Sequence, residues 1–129
     1  MKNLQEKRAK VCLDFDGVLA TYDGKWKGEH YLGKPLPGLK KFLERLTNGD
    51  IDVIVLTTRK SKKLIFDWFK KNKLPPPSSI TNKKIRADVY VDDHAVYFDG
   101  NFEHLIKTLA KFRVHYKKER PLKALSKPD

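Results

Sequence analysis

The stretch VCLDFDGVLATYDG, Val11–Gly24, sets an apolar run directly before Asp14 and Asp16 and puts Gly17 behind them. Val11, Cys12 and Leu13 follow one another with no polar residue between, which predicts a short strand over Lys10–Leu13 covered on both faces. An extended chain sends residues i and i+2 the same way, so Asp14 and Asp16 are expected to reach toward one ligand. Gly17 then frees the backbone to turn away sharply. A calcium loop also begins Asp-x-Asp, but an EF-hand loop needs a preceding helix and a glycine at its sixth position. Here a strand precedes and the glycine comes fourth.

Outward from this stretch, strand-like and helix-like patterns alternate. Leu39, Phe42, Leu43 and Leu46 recur at helical spacing between Pro37-Gly38 and Asn48-Gly49, predicting an amphipathic helix over Leu39–Leu46. IDVIVL, Ile51–Leu56, is a β-branched run of strand length that ends at Thr57-Thr58. A second helix is expected over Ser61–Lys73, with Leu64, Ile65, Trp68 and Phe69 on one side, lysines on the other, and Pro75–Pro77 as its stop. Short strands are expected near Ser79–Thr81 and in ADVYVDD, where Val89 and Val91 alternate with Tyr90 before Asp92-Asp93. Phe102–Leu109 reads as a helix and FRVHY, Phe112–Tyr116, as a last edge strand. This order predicts an α/β fold: a three-layer, Rossmann-like parallel sheet with crossover helices. One domain is expected over residues 1–129, with a basic segment at 1–9 and a polar tail at 117–129 peripheral to it.

The totals narrow the function classes. With 40% hydrophobic and 34% charged residues, the chain is too apolar for a disordered tail and too charged for a membrane span. The N-terminal MKNLQEKRAK lacks the apolar core of a secretory signal, so a cytoplasmic location is expected. Cys12 is the single cysteine, which excludes an internal disulfide and reads as a buried inert thiol. Lys and Arg total 28 against 16 Asp and Glu, a net charge of +12, which favours anionic partners: nucleic acid, phosphorylated metabolites or acidic proteins. Neither Gly-x-x-x-x-Gly-Lys nor Gly-x-Gly-x-x-Gly occurs, which removes P-loop and dinucleotide readings.

In a parallel sheet, ligands sit beyond the carboxyl ends of the strands. Asp14 and Asp16, Thr57 and Thr58, and Asp92 and Asp93 each follow a predicted strand and are expected to converge on one edge. Carboxylates gathered this way repel one another unless a cation sits among them. Mg2+ is the natural choice, because it takes few protein carboxylates, keeps waters and accepts a phosphate oxygen.

With these residues the chain resembles the haloacid dehalogenase superfamily of phosphohydrolases. DFDGV, Asp14–Val18, matches that family's first motif, Asp-x-Asp-x-(Thr/Val) after a hydrophobic strand. VIVLT ending at Thr57 matches the second, a lysine in TNKKIRAD the third, and VYVDD at Asp92 and Asp93 the fourth. The resemblance implies that Asp14 is the nucleophile of an aspartyl-phosphate mechanism and that Asp16 protonates the leaving oxygen and then activates water. It implies Mg2+ held by Asp14, the Asp16 carbonyl and Asp92, with Asp93 as second ligand or support. The resemblance further implies that Thr57 donates to a phosphate oxygen and that Lys84, preferred to Lys83 because it lies nearer the following strand, neutralises charge on the phosphoryl group. Thr58 and Arg59 are expected beside the substrate. The gaps between motifs hold single helices and loops, so the chain looks capless. Together with the basic charge, that points to a nucleotide or nucleic-acid terminal phosphate as substrate.

Several residues keep two readings. Thr57 is a capping residue or a catalytic one. Trp26 and Tyr31 either anchor the loop after the first motif or offer a surface on which a ring stacks. Arg59, Lys60, Lys62 and Lys63 form a solvated helix end, unless Arg59, directly after the second motif, faces phosphate. His30, His94, His104 and His115 show no metal-ligand spacing, and His94 alone stands beside the acidic pair. The rival to the enzyme is a non-catalytic protein that uses the same pocket to hold phosphate, nucleotide or nucleic acid. Retention of both Asp14 and Asp16 argues against it, because an anion binder has no use for an acid–base carboxylate. The pattern leaves the oligomeric state open.

Overall fold

A computed structural model describes residues 8–128; of the peripheral segments expected at the two ends, residues 1–7 and 129 lie outside the described residues. The chain divides into two compact units, residues 1–92 and 93–129.

The first unit is built on a four-stranded, all-parallel sheet. Its strands are β1 (Lys10–Asp14), β2 (Asp52–Leu56), β3 (Ser79–Thr81) and β4 (Val89–Val91), in the spatial order β3-β2-β1-β4. Helix α1 (Leu39–Asn48) packs against β2, and α2 (Lys62–Lys71) against β3. This is the α/β, Rossmann-like arrangement that the alternation of patterns predicts. The central strands are apolar throughout: Val11, Cys12 and Leu13 of β1 and Val53, Ile54 and Val55 of β2 are buried, as a parallel sheet covered on both faces requires. Leu39 and Leu43 of α1 and Ile65, Trp68 and Phe69 of α2 close the core over them. Gly49 ends α1, its N–H returning to the carbonyls of Arg45 and Leu46. Ser61 starts α2, its hydroxyl accepting from Leu64 N at 3.2 Å.

Strand β4 differs from its neighbours. Among the described residues it pairs only with β1, and Val89, Tyr90 and Val91 are all exposed, so its alternation does not sort residues into an inner and an outer face.

The second unit carries α3 (Phe102–Lys111), capped by Asn101, whose side chain accepts from His104 N at 3.0 Å. A short 3-10 turn, Lys123–Ser126, packs on α3. The edge strand expected at Phe112–Tyr116 does not form. Its hydrogen bonds are local instead: Lys117 N donates to Val114 O at 2.9 Å and an Arg113 Nη to Lys117 O at 2.7 Å, closing a turn around the buried Val114. Among the described residues no helix is long and apolar enough to cross a membrane.

Candidate functional site

The strand register fixes which side chains can meet. Leu13 pairs with Val91 and Asp14 with Leu56, so Asp14, Thr57 and Asp92 all emerge at the carboxyl edge of the sheet within one residue of the same level. The strand order reverses at β1: the chain passes from β1 to β2 and β3 on one side, then returns to β4 on the other. Such a reversal opens a crevice at the strand ends, where open α/β sheets bind ligands. Asp14 and Asp92 flank it, and their carboxylate oxygens come within 4.8 Å of each other.

Between the two first-motif aspartates, Phe15 is fully buried, its ring 4.8 Å from that of Trp68 in an edge contact. That anchor turns Asp14 and Asp16 away from the core, as the two-residue period demands. The chain then folds back. The N–H groups of Val18, Leu19 and Ala20 all return to Phe15 O, while Gly17, at φ 90, donates to Ala20 O at 2.8 Å. A side chain at Gly17 would be strained in this left-handed conformation.

Cys12, two residues inside the strand tip, senses the same group of charges. Burial pushes its thiol pKa up first, Asp14 and Asp92 push it further, and Lys84 draws it back. Of the two candidate lysines, Lys84 is among the charges felt at Cys12. It lies 4.6 Å from the ring centroid of Tyr90, which is itself paired with Cys12 across β1 and β4. Lys83 is tied by its backbone to Thr81 Oγ1. Thr57 is buried at the tip of β2; its backbone N–H donates to Thr81 O at 2.9 Å and its hydroxyl oxygen accepts from Arg59 N at 3.0 Å. Thr58 is exposed beside it.

Arg59 takes a different position from the one expected of a phosphate-facing residue. It is 4% exposed, and its guanidinium is fully committed inside the protein. The Nε–H and one Nη2–H donate to the two oxygens of Asp16 at 3.0 and 2.9 Å, and the other Nη2–H to Tyr31 O at 2.8 Å. The Nη1 hydrogens go to Gly28 O and Glu29 O at 3.3 and 2.7 Å. All five guanidinium donors are thereby used. This ties the loop after the first motif to the start of α2, with the Trp26 ring 4.6 Å from the guanidinium carbon.

Glu29 reinforces the tie. Its carboxylate accepts from the backbone N–H of Lys60 and of Ser61, occupying the N-terminal end of α2. The hydrogen bond from Ser61 holds its pKa below the ordinary value. Sequence reasoning passed over Glu29, although a signal existed: α2 has no acidic residue in its first turn, so its orphan amides need an acceptor from elsewhere. Trp26 and Tyr31 are not core anchors, since each is just over half exposed.

In the second unit, Tyr116 donates to Asp93 Oδ2 at 2.8 Å, and His94 Nε2 lies 3.8 Å from the same oxygen. Asp93 Oδ1 is buried and has no hydrogen-bond partner among the described residues.

No protein-family model matches the chain, and no curated protein does. Among solved structures, a conserved protein coded by a locus of Bacteroides thetaiotaomicron is similar, with 16% identity and a TM-score of 0.55 over 79% of this chain and 89% of that one. At that identity the likeness establishes the fold alone.

Proposed function

We propose that the protein is a capless, haloacid-dehalogenase-like phosphohydrolase that cleaves phosphate monoesters with Mg2+ through an aspartyl-phosphate on Asp14. The observation that carries this reading is the approach of Asp14 and Asp92 to within 4.8 Å at the switch point of the sheet, in the field of Lys84. Two carboxylates this close repel, and an all-oxygen donor set suits a hard divalent cation. Asp14, Asp92 and the Asp16 carbonyl are the residues that would hold Mg2+. The ion would supply charge stabilisation for the phosphoryl group.

The chain's own groups carry the chemistry. An Asp14 oxygen attacks phosphorus, a new O–P bond forms, and the ester O–P bond breaks as the leaving oxygen takes a proton from Asp16. Water then attacks the aspartyl-phosphate, Asp16 takes its proton, and inorganic phosphate departs with Asp14 restored. Both Asp16 oxygens accept from Arg59, so one of these contacts opens whenever Asp16 carries the proton. The Thr57 hydroxyl, whose oxygen is engaged by Arg59 N, keeps its hydrogen to donate to a phosphate oxygen. Lys84 offsets the charge that gathers on the transferring group. Phosphate release from p-nitrophenyl phosphate tests the reading: Mg2+-dependent turnover that falls at least about 1,000-fold in Asp14→Asn is expected. Equal rates in the two proteins would exclude it.

One observation favours a rival, a phosphate-binding protein without turnover. Arg59 holds the would-be acid–base carboxylate by both oxygens, an arrangement that also suits a purely structural Asp16. Absence of turnover across a panel of phosphate esters, with phosphate binding retained, would favour the binder.

A further inference from the structure

Beside Asp16 the loop after the first motif encloses a recess of about 280 Å³. Its wall includes Asp16, Tyr22, Lys25, Trp26, Tyr31 and Arg59. We propose that this recess is the leaving-group site and that it selects phosphate monoesters whose alcohol carries a flat heteroaromatic ring, a nucleotide base above all. The inference rests on the phosphohydrolase reading, which puts the reacting phosphate next to Asp16.

Three features support it. First, large apolar rings are exposed where solvent exposure is unfavourable: Trp26 and Tyr31 are 55% and 56% exposed, yet both line one concavity that a carboxylate of the first motif also lines. Second, the rings are held before any ligand arrives. Arg59 lies 4.6 Å from the Trp26 ring centre and bonds the carbonyl of Tyr31, so little ordering remains when a base stacks there. The loop's neck is closed as well: Thr21 N donates to Lys34 O, and Lys34 N to Thr21 Oγ1. Gly33 is required there, because a Cβ on it would stand 2.1 Å from Thr21 O.

Third, size and charge select the ligand. Pockets for drug-sized molecules run from roughly 300 Å³ upward, so this one takes a single ring system and not a long chain. Its two carboxylates are already paired, Asp16 with Arg59 and Asp23 with Lys27 at 2.9 Å. Three cations, Lys25, Lys27 and Arg59, line the recess against these two carboxylates, so it keeps a net positive charge for an anionic ligand. Exposed aromatics beside cations are the elements with which proteins hold single-stranded bases.

The test compares substrates that share the phosphate and differ in the ring. With Mg2+, kcat/KM is measured for adenosine 5′-monophosphate, for a 5′-phosphorylated oligonucleotide and for glycerol phosphate. The preference for adenosine monophosphate over glycerol phosphate should fall about tenfold in Trp26→Ala and survive in Trp26→Phe, since stacking on one ring is of that size. A preference for the oligonucleotide over the free nucleotide would assign the site to polynucleotide ends; the reverse would assign it to free nucleotides. A ratio unchanged in Trp26→Ala overturns the inference while leaving the phosphohydrolase intact. Binding is read separately in Asp14→Asn by tryptophan fluorescence. Trp68, the other tryptophan, is 7% exposed, so quenching by adenosine monophosphate should vanish in Trp26→Phe. Loss of turnover on every ester with that quenching retained would reject the phosphohydrolase and keep the base site. No quenching in the presence of Trp26 would reject the base site itself.

Discussion

Asp14 and Asp16 stand two residues apart on one extended segment, yet their electrostatic company is opposite. Asp14 ends a buried strand and meets a second carboxylate, Asp92, across the crevice between β1 and β4. Asp16 lies in the bend beyond and meets a buried guanidinium that takes both of its oxygens. The first sets two like charges close together; the second pairs a carboxylate with a guanidinium and is complete without any ligand. A single short motif therefore supplies one carboxylate that faces another and a second that holds the neighbouring loop in place.

The largest effect should come from dismantling the complete half. Arg59→Met leaves Asp16 and the carbonyls of Gly28, Glu29 and Tyr31 without their donors. Breaking a buried ion pair by removing one partner costs about 3–5 kcal/mol, and because Asp16 is itself only partly buried the lower figure is expected. Chemical denaturation reads the loss; a change under about 1 kcal/mol would mean that the loop is held by other contacts.

How much of this division could be read from the chain alone depends on sequence distance. The strands, both sheet-packing helices and the carboxyl-edge position of Asp14, Thr57 and Asp92 follow from local apolar runs and from what parallel sheets do with their ends. The Arg59 clamp does not, because it joins residues 43 apart and Arg59 reads locally as one more cation at a lysine-rich helix start. FRVHY shows the opposite failure: its β-like composition yields to a turn that satisfies its backbone groups locally. For Trp26 and Tyr31, composition names the two roles that a ring can take in a loop, and only the fold shows that both rings are more than half exposed.

The carboxylate pair makes the next prediction. Saturating Mg2+ should stabilise the wild type by about 1–3 kcal/mol through preferential binding to the folded state. Asp92→Asn should lose most of that gain. Thermal unfolding with and without Mg2+ decides; equal stabilisation of both proteins would place the cation elsewhere.

The smallest effect sharpens the complete half again. Glu29 titrates below its ordinary value of 4.5 because Ser61 and Lys60 donate to its carboxylate. A depressed carboxyl pKa stabilises the fold above 4.5, and that contribution is lost as the pH falls through the lowered value. Glu29→Gln should therefore melt below the wild type at neutral pH, with the gap closing in acid. A gap that stays constant with pH would show that the amide replaces the carboxylate fully at the α2 N-terminus.

The account turns on Asp14 as the group that receives phosphate. Acid-quenched turnover of a labelled phosphate ester, followed by digestion and mass spectrometry, reads this directly. A phosphoryl group on the peptide that contains Asp14, absent from Asp14→Asn, is the predicted result. Steady turnover with the label on another residue, or turnover that persists in Asp14→Asn, would contradict it.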